Sequence, residues 1–388
     1  MTESLWRSVN VFRHDSGGDR TDLLLDAVRP FIDAVSPAVS GVYFQPHWRR
    51  GPHVRIPVLA SDEAFAQVVV PAVSGVLDEY LRAHPSTVVL DERAAHPHHL
   101  RLAEHERESG PLTPWAPNNT IEIAPHDQRL TVLGGQAAAD LLAEYYVESN
   151  AVVFEILDHI RGGGSKMALA VDLFIAAANR FLPPVTYGYL SYRGHADAYL
   201  AKLPDGMRER FDQVYAASGE HVRRRVVEIT AADDYHDVVP FSGLLDILLR
   251  YRNRAGALLA SGALALNTDE HGDPQAWGSS WSAWSDRSPF HKTLGGHRAA
   301  ADQLGGWSEF QQYRVVLNWL YLNMYRLGIG EMERNLICHV VSRAVEDVHG
   351  VTALDRIQDL IGFVDNGGRL RPARTESAPP GSNRYSVG

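Results

Sequence analysis

The chain has 388 residues, of which 45% are hydrophobic and 22% are charged, with 37 Lys+Arg against 47 Asp+Glu. This length and composition predict a folded globular protein of two or three structural units and exclude disorder as its main state. The net charge of −10 at pH 7 argues against nucleic acid as a primary partner, because an acidic protein repels polyphosphate.

The first part of the chain, 1–133, alternates strand-like and helix-like segments. Thr21 and Ser61 are expected to cap two helices, and the basic turn RRGP at 49–52 separates the two strands of a hairpin. The predicted order is a strand at 6–12, a helix at 21–35, a hairpin formed by 42–47 and HVRIPVLA, a helix from about 61 to 82 and a strand at 120–124. This order of elements is typical of a ferredoxin-like unit.

From Gly135 onward the periodicity of the apolar residues is helical. The triple glycine at 162–164 is expected to end one helix, and Ser165 to cap the next. Helices are predicted over 136–160 and SKMALAVDLFIAAANRF, near 206–229, 239–260 and 291–304, and as a long pair from 307 to about 349, with a Trp/Ser-rich loop at 277–288. We therefore predict an α+β protein in which a helical region, 134–350, packs on the ferredoxin-like β-sheet unit, followed by a disordered tail over 367–388.

Targeting and redox features indicate the cytoplasm. The N-terminal stretch MTESLWRSVN lacks the basic region and apolar core of a signal peptide, and no uncharged apolar run reaches the ~18 residues of a membrane span. The single cysteine, Cys338, can form neither an internal disulfide nor a multi-cysteine zinc site. We therefore expect a cytoplasmic protein with no membrane and no nucleic-acid partner.

Two patterns that could indicate metal or phosphate chemistry are better explained by local structure. The 18 histidines include His96, His98 and His99 in HPHH and His236 in DDYHD, but neither cluster has the helical spacing of a zinc site. We interpret both clusters as solvated loops. The RGGGSK segment follows a helix and lacks the spacing of a phosphate-binding loop, so a helix end followed by a cap explains it. No metal site is expected.

The predicted hairpin, YFQPHWRRGPHVRIPV, is the part of the chain richest in polar chemistry. On an alternating strand, His53 and Arg55 share one face, and Val54 and Ile56 share the other. If the two apolar residues pack on helices, the His and Arg side chains present a fork of donors to a ligand carboxylate or amide. A solvated basic turn is the alternative explanation of the same residues.

The late helix QQYRVVLNWLYLNMYRLGIGE carries a second pattern. Asn318, Tyr321 and Tyr325 fall at positions i, i+3 and i+7, which predicts a polar and aromatic stripe beside an apolar one. Tyrosines on a buried stripe are more often core residues with a hydrogen-bonded hydroxyl than acid–base groups. The spacing alone therefore leaves both roles open.

Taken together, these segments resemble the C-terminal domain of lantibiotic dehydratases. The resemblance covers roughly 6–349 and is most specific in the GPHVR turn and in LSYRGHADAYLA, which contains Ser191, Arg193 and His195, with LGIGE following the late helix. Members of this family are implied to be either glutamate-elimination domains or enzymes that form the six-membered nitrogen heterocycle of thiopeptides. The implied fold agrees with the α+β order of elements.

Departures from the elimination pattern decide which of the two activities the resemblance implies. Elimination requires cations that hold the γ-glutamyl carboxylate and a base that removes the α-proton, and Arg55 retains only the first arginine of the GPHxRxR pattern. The positions that differ are Pro57 in place of the second arginine, Arg129, Val132 and Leu133 in the segment before Gly134, and Tyr321, Asn323 and Tyr325 at the His, His and Asn positions of the late helix. The resemblance therefore implies a pyridine synthase, which joins two dehydroalanines of a peptide in a formal [4+2] cycloaddition and eliminates the leader peptide.

The resemblance, with the geometry of the stripe and the hairpin, also implies the site residues. The predicted catalytic residues are Tyr321, Tyr325, His53, His195 and Asn318, with Tyr321 or Tyr325 as the proton donor. The predicted substrate-binding residues are Trp48, Arg49, Arg50, Arg55, Glu122 and Arg326. Holding two reacting groups together and donating a proton to an amide require no metal or redox cofactor, so no cofactor is expected.

The expected partner is a ribosomally made precursor peptide with a leader and a dehydrated core. A homodimer and a complex with other pathway enzymes are both left open. Two alternatives to the pyridine synthase remain, namely a glutamate-elimination enzyme and a non-catalytic peptide-binding partner in a biosynthetic complex. A basic turn in an acidic protein also predicts capture of an acidic peptide segment by binding that weakens with salt.

Overall fold

A computed structural model describes residues 4–15, 20–264, 266 and 288–370 of the chain. The loop predicted at 277–288 lies outside the described residues except for its last position. Most of the predicted tail, 371–388, also lies outside them.

A five-stranded antiparallel sheet forms the N-terminal unit. Its strands are β1 (Leu5–Phe12), β2 (Gly41–Val42), β3 (Gln45–His47), β4 (His53–Ala60) and β5 (Thr120–Pro125). The strand order is β2-β4-β1-β5, with β3 also paired to β4. The predicted ferredoxin-like unit is confirmed, although the first strand of the hairpin divides into β2 and β3.

One face of the sheet is apolar and packs against two helices. Val9, Val11, Val54 and Ile56 are fully buried in the main core on this face, as the alternation of β4 predicts. The helices are α1, over 21–35, and α2, Asp62–Ala83. By length and composition alone, α2 is apolar enough to cross a membrane, which is weak evidence because helices of soluble proteins pass the same test.

The two predicted caps have different outcomes. Ser61 accepts a hydrogen bond from the backbone N–H of Ala64 and caps α2 as expected. Thr21 is instead the first residue of α1, and Arg20 occupies the N-cap position without a side-chain hydrogen bond to the helix. The prediction of Thr21 as a cap is therefore wrong by one residue.

A third helix, α3 (Glu92–Glu106), contains the HPHH segment, so the predicted loop is wrong. Asp91 caps this helix by accepting from the backbone N–H groups of Arg93 and Ala94. His99 is buried, with its ring centroid 5.1 Å from that of Trp48 and 5.2 Å from that of Trp115. These aromatic partners are distant in sequence, so the local polar pattern could not reveal them.

The remainder of the described chain is helical. Its helices are α4 (Leu130–Leu133), α5 (Gln136–Arg161), α6 (Lys166–Phe181), α7 (Val185–Leu200), α8 (Met207–Ala231), α9 (Gly243–Ser261), α10 (Pro289–Gly296), α11 (Arg298–Gly306), α12 (Ser308–Arg326), α13 (Glu331–His349) and α14 (Ala353–Asp365). Ser165 caps α6 as expected. The segment 291–304 forms two helices because His297 interrupts it, and α14 was not predicted.

The sheet unit and the helical region share one apolar core. Residues of β1, β4, α5, α6, α12 and α13 all belong to the same buried cluster. Asn150 of α5 donates to the carbonyl oxygen of Val42 at 2.9 Å and so ties α5 directly to β2. The second face of the sheet is polar, and it positions the candidate site.

Candidate active site

Directly opposed residues of antiparallel strands point to the same face of a sheet. The pairing of Asn10 with both Arg55 and Glu122 therefore places all three side chains on the polar face. His47 and His53, which oppose each other across β3 and β4, share this face. The predicted alternation of β4 is thus present, with its polar residues turned away from the apolar core.

A buried carboxylate lies at the centre of the basic hairpin. The Glu108 side chain is only 1% exposed, and its oxygens lie 3.3 Å from Arg49 Nη1, 3.6 Å from Arg129 Nε and 3.8 Å from His47 Nε2. Although burial alone would raise the pKa of Glu108, His47 and the arginines lower it to about 2. Glu108 therefore stays ionised and holds the cations together. We call His47, Arg49, Arg55, Glu108 and Arg129 the sheet wall.

Arg55 is the least matched cation of the sheet wall. It is 6% exposed, yet no described residue forms a hydrogen bond or an ion pair with its guanidinium. Burial lowers its pKa to about 10, against the opposing effect of Glu108. A buried guanidinium with open donors is costly unless a ligand supplies acceptors. Arg55 is therefore the group of this face best suited to bind a carbonyl or carboxylate.

Arg50 and Glu122, both predicted to bind substrate, form an ion pair with each other. Arg50 Nη1 and Nη2 donate to the two Glu122 oxygens at 2.8 and 3.2 Å, and Arg50 Nε donates to the Pro114 carbonyl at 3.2 Å. The backbone carbonyl of Arg50 also accepts from Ala116 N–H at 2.9 Å. This pair attaches the hairpin turn to β5, which explains the two side chains without a ligand.

Trp48 and His53 also have structural partners. Trp48 Nε1 donates to Glu106 Oε2 at 3.0 Å. His53 Nδ1 lies 2.9 Å from the Gly51 carbonyl, and its Nε2 is buried without a partner among the described residues. Burial is the main cause that holds the pKa of His53 well below its usual value. His53 is thus a neutral group beneath the hairpin, which does not favour its predicted catalytic role.

A second set of predicted residues meets in the helical region. The Tyr321 hydroxyl of α12 lies 2.8 Å from His195 Nδ1 of α7 and 3.4 Å from Cys338 Sγ of α13. Burial, reinforced by Arg334, lowers the pKa of His195 to about 3, and burial holds the pKa of Tyr321 well above its usual value. Both groups are therefore uncharged at neutral pH. A neutral His–Tyr pair can hold one proton between them.

The predicted stripe on α12 does not share one environment. Tyr321 is 5% exposed, Tyr325 is 39% exposed, and Asn318 is exposed at the surface. Burial raises the pKa of Tyr325, which Arg334 opposes and Glu106 reinforces. Glu106, which influences Tyr325 through its charge, also accepts a hydrogen bond from Trp48 of the hairpin. We call His195, Tyr321, Tyr325 and Arg334 the helix wall.

Arg326, predicted to bind substrate, is only 1% exposed and cannot contact a peptide in this structure. Its guanidinium donates to Ser149 Oγ at 2.8 Å, to Asn323 Oδ1 at 3.2 Å and to Asn150 Oδ1, and lies 4.3 Å from the Phe44 ring centroid. Burial lowers its pKa to about 10. Arg326 therefore joins α12 to α5 beneath the site, and its role is supportive.

Sequence reasoning missed Glu108, Arg129, Arg334 and Cys338 as site residues. Arg129 was noted only as a departure from a family pattern, and its place in the sheet wall depends on contact with Glu108. Arg334 of α13 lies over two tyrosines of another helix, α12, so spacing within its own segment could not mark it. Nothing local marks Glu108, because its partners come from the hairpin.

A cavity of about 770 Å³ opens beside the ends of β1 and β5 and the start of α5. Its lining includes Trp6 and Leu59, which lie on the polar face of the sheet, together with His126 and Gln136. His126 Nε2 is 3.2 Å from the Tyr43 hydroxyl. No group of three or more His, Cys, Asp or Glu side chains in the described part of the chain is placed to hold a metal ion.

Comparisons with known proteins show the family and the fold of this chain. The family model described as lantibiotic biosynthesis dehydratase C-term matches residues 6–345. The solved structure of TbtD, described as a pyridine synthase from thiomuracin biosynthesis, is 34% identical with a TM-score of 0.71, covering 89% of this chain and 99% of that chain. The solved structure of TsrL, at 20% identity and a TM-score of 0.61 over 95% of this chain and 99% of that chain, supports the fold. A comparison with curated proteins finds no match.

Proposed function

Because this chain belongs to the lantibiotic biosynthesis dehydratase C-terminal family, we propose that it is a pyridine synthase of thiopeptide biosynthesis. It joins two dehydroalanines of a precursor peptide by a formal [4+2] cycloaddition and eliminates the leader peptide. The observation that carries the proposal is the 34% identity to TbtD over 89% of this chain and 99% of that one. Tyr321 and Tyr325 at the late-helix positions of the elimination residues support the same activity.

The sheet wall suits the capture of a peptide. Arg49 and Arg129 pair with one carboxylate, Glu108, and Arg55 adds a third guanidinium without an ion pair, so the wall carries an excess of positive charge. The open donors of Arg55 can bind backbone carbonyls or an acidic side chain of the precursor. Since the protein as a whole is acidic, this attraction is local and weakens as salt screens it.

The helix wall suits proton transfer to the reacting amide. Cycloaddition requires one dehydroalanine to react with the other and its adjoining amide, held as the iminol tautomer at near-attack distance. Tyr325 is 39% exposed, so its hydroxyl is accessible to a bound peptide and can donate to the amide and later to the hydroxyl that leaves as water. Tyr321 and His195 form the buried pair of the same helix wall and can hold the proton that the tautomer exchanges.

The proposal is tested with a precursor that carries a leader and a core containing two dehydroalanines. Incubation with this protein should release the leader as a separate fragment and leave a core whose mass is lower by the leader and one water. Mass spectrometry reads both products. Several cognate-like precursors that all remain unchanged with folded protein would contradict the proposal.

Glutamate elimination is the second candidate because Arg55 has donors free for a γ-glutamyl carboxylate. A glutamylated Ser peptide should then lose glutamate and gain a dehydroalanine. The neutral Tyr321–His195 pair and Tyr325 supply no strong base for the α-proton, so we expect no such loss. Release of glutamate without ring formation would favour this candidate.

We further propose that the protein acts in the cytoplasm, on a ribosomally made peptide. The single buried cysteine, Cys338, fits a reducing compartment. A homodimer and a complex with other enzymes of the pathway are distinguished by light scattering on the purified protein with and without its precursor.

A further inference from the structure

Arg334 lies over both tyrosines of the helix wall. Its guanidinium carbon is 4.8 Å from the ring centroid of Tyr321 and 5.9 Å from that of Tyr325. A cation at these distances is attracted to the negative face of an aromatic ring. One side chain of α13 therefore contacts the two candidate proton-transfer groups of α12 at once.

The positive charge of Arg334 is poorly matched by its surroundings. Its only described ion pair is with Glu331, at 4.0 Å, and the Glu331 side chain is half exposed to solvent. The Arg334 side chain is itself only 20% exposed, and its Nε is buried with no partner among the described residues. Without a close carboxylate to neutralise it, the charge acts mainly on the two phenol rings and on His195.

Other ionisable groups face the same rings. They are Glu331 and Cys338 on α13, Glu106 at the end of α3, Tyr199 on α7, Tyr313 and Arg314 on α12, and His291 on α10. The carboxylates of Glu331 and Glu106 disfavour loss of the Tyr325 proton, whereas Arg334 favours it. Among these groups, Arg334 is the cation in contact with both tyrosines.

We propose that Arg334 is a positioning residue of the cycloaddition, which fixes the rings of Tyr321 and Tyr325 and strengthens Tyr325 as a proton donor. This inference rests on the proposed function. The cation stabilises the phenolate that forms when Tyr325 gives its proton to the reacting amide, and it keeps His195 uncharged. Arg334 opposes the effect of burial on the pKa of Tyr325 and adds to the effect of burial on the pKa of His195.

The test compares R334M and R334K with the wild type in the ring-forming assay. We expect R334M to lower kcat by about tenfold while KM changes by less than about twofold, because the lost charge acts in the transition state. R334K retains a cation, so it should recover a large part of kcat. A purely structural role predicts instead that Lys, which lacks the planar group, rescues no better than Met.

The control is R343M. Arg343 lies on the same helix with its guanidinium carbon 5.6 Å from the ring of Tyr215, away from the helix wall, so this variant should keep wild-type kcat. Thermal unfolding checks that each variant folds, and R334Q replaces R334M if the methionine variant does not. A wild type that converts no precursor overturns the proposed function and this inference together. A wild type that converts its precursor while R334M keeps full kcat overturns the inference alone.

Discussion

The sheet wall and the helix wall hold their central groups in opposite states. In the sheet wall, Glu108 stays charged because His47 and the arginines around it lower its pKa to about 2. In the helix wall, burial keeps His195 and Tyr321 uncharged. Fixed charge suits the recognition of a peptide, whereas a neutral pair can exchange a proton without first losing a counter-ion. The sheet wall therefore suits peptide binding, and the helix wall suits the chemical step.

Acidification should have the largest effect on stability, because it protonates neutral histidines in both walls and elsewhere in the fold. Burial lowers the pKa of His195 to about 3 and the pKa values of His47, His126 and His339 to about 4. The unfolded state binds their protons near pH 6.5, so their contribution to stability is complete above that pH and is lost as the pH falls towards 4. Each should remove roughly 2–3 kcal/mol by pH 4.5.

Urea unfolding at steps between pH 7 and pH 4.5 measures this loss. The variant H339Q removes one buried histidine outside both walls and should flatten the pH dependence. A free energy of unfolding that stays constant across this range would show that the histidines bind protons as readily in the folded protein as in the unfolded chain. The conclusion that the helix wall holds a neutral histidine would then be wrong.

The tyrosines of the helix wall give the next largest effect. We expect Y325F to lower kcat by about 100-fold, because it removes the exposed proton donor, and Y321F by about tenfold, because Tyr321 acts through His195. The control is Y187F. Tyr187 is comparably exposed, at 43%, and lies in the first turn of α7, eight residues before His195. Rates come from single-turnover ring formation. Equal, small losses of kcat in Y325F and Y321F would show that the helix wall does not supply the proton for ring formation.

The late helix shows how far sequence could reach. The helix itself was predictable from its strong helical period, and a family pattern marked Tyr321 and His195 as candidates, but their contact was not predicted. The different exposures of Asn318, Tyr321 and Tyr325 were not, since exposure depends on α7, α13 and the hairpin. The ferredoxin-like order followed from alternation in β1, β4 and β5. Glu108 and Arg334 escaped prediction because their partners come from other elements.

The sheet wall should respond through binding rather than rate. The variant R55M removes the guanidinium without a described partner, and we expect KM to rise by about tenfold with kcat nearly unchanged. The salt dependence of peptide binding should also be weaker in R55M than in the wild type. Stability should stay equal or rise, because a lone buried cation is costly to the folded state. Isothermal titration with the precursor at two salt concentrations measures the change, with R161M, an exposed arginine of α5, as the control.

Destabilisation of R55M by several kcal/mol would contradict this assignment. Such a loss would mean that the guanidinium is satisfied within the fold and has no donors for a peptide. The sheet wall would then be a structural cluster like the one around Arg326, whose donors bind Ser149, Asn150 and Asn323.

The smallest effect is expected where two predicted binding residues bind each other. Arg50 and Glu122 are each about one-third exposed, at 33% and 34%, so their ion pair is well screened by water. E122Q should lower the free energy of unfolding by about 0.5–1 kcal/mol and leave kcat and KM within about twofold of the wild type. Thermal unfolding and the ring-forming assay check both values. A tenfold rise in KM would instead indicate that the Glu122 carboxylate contacts the peptide as well as Arg50.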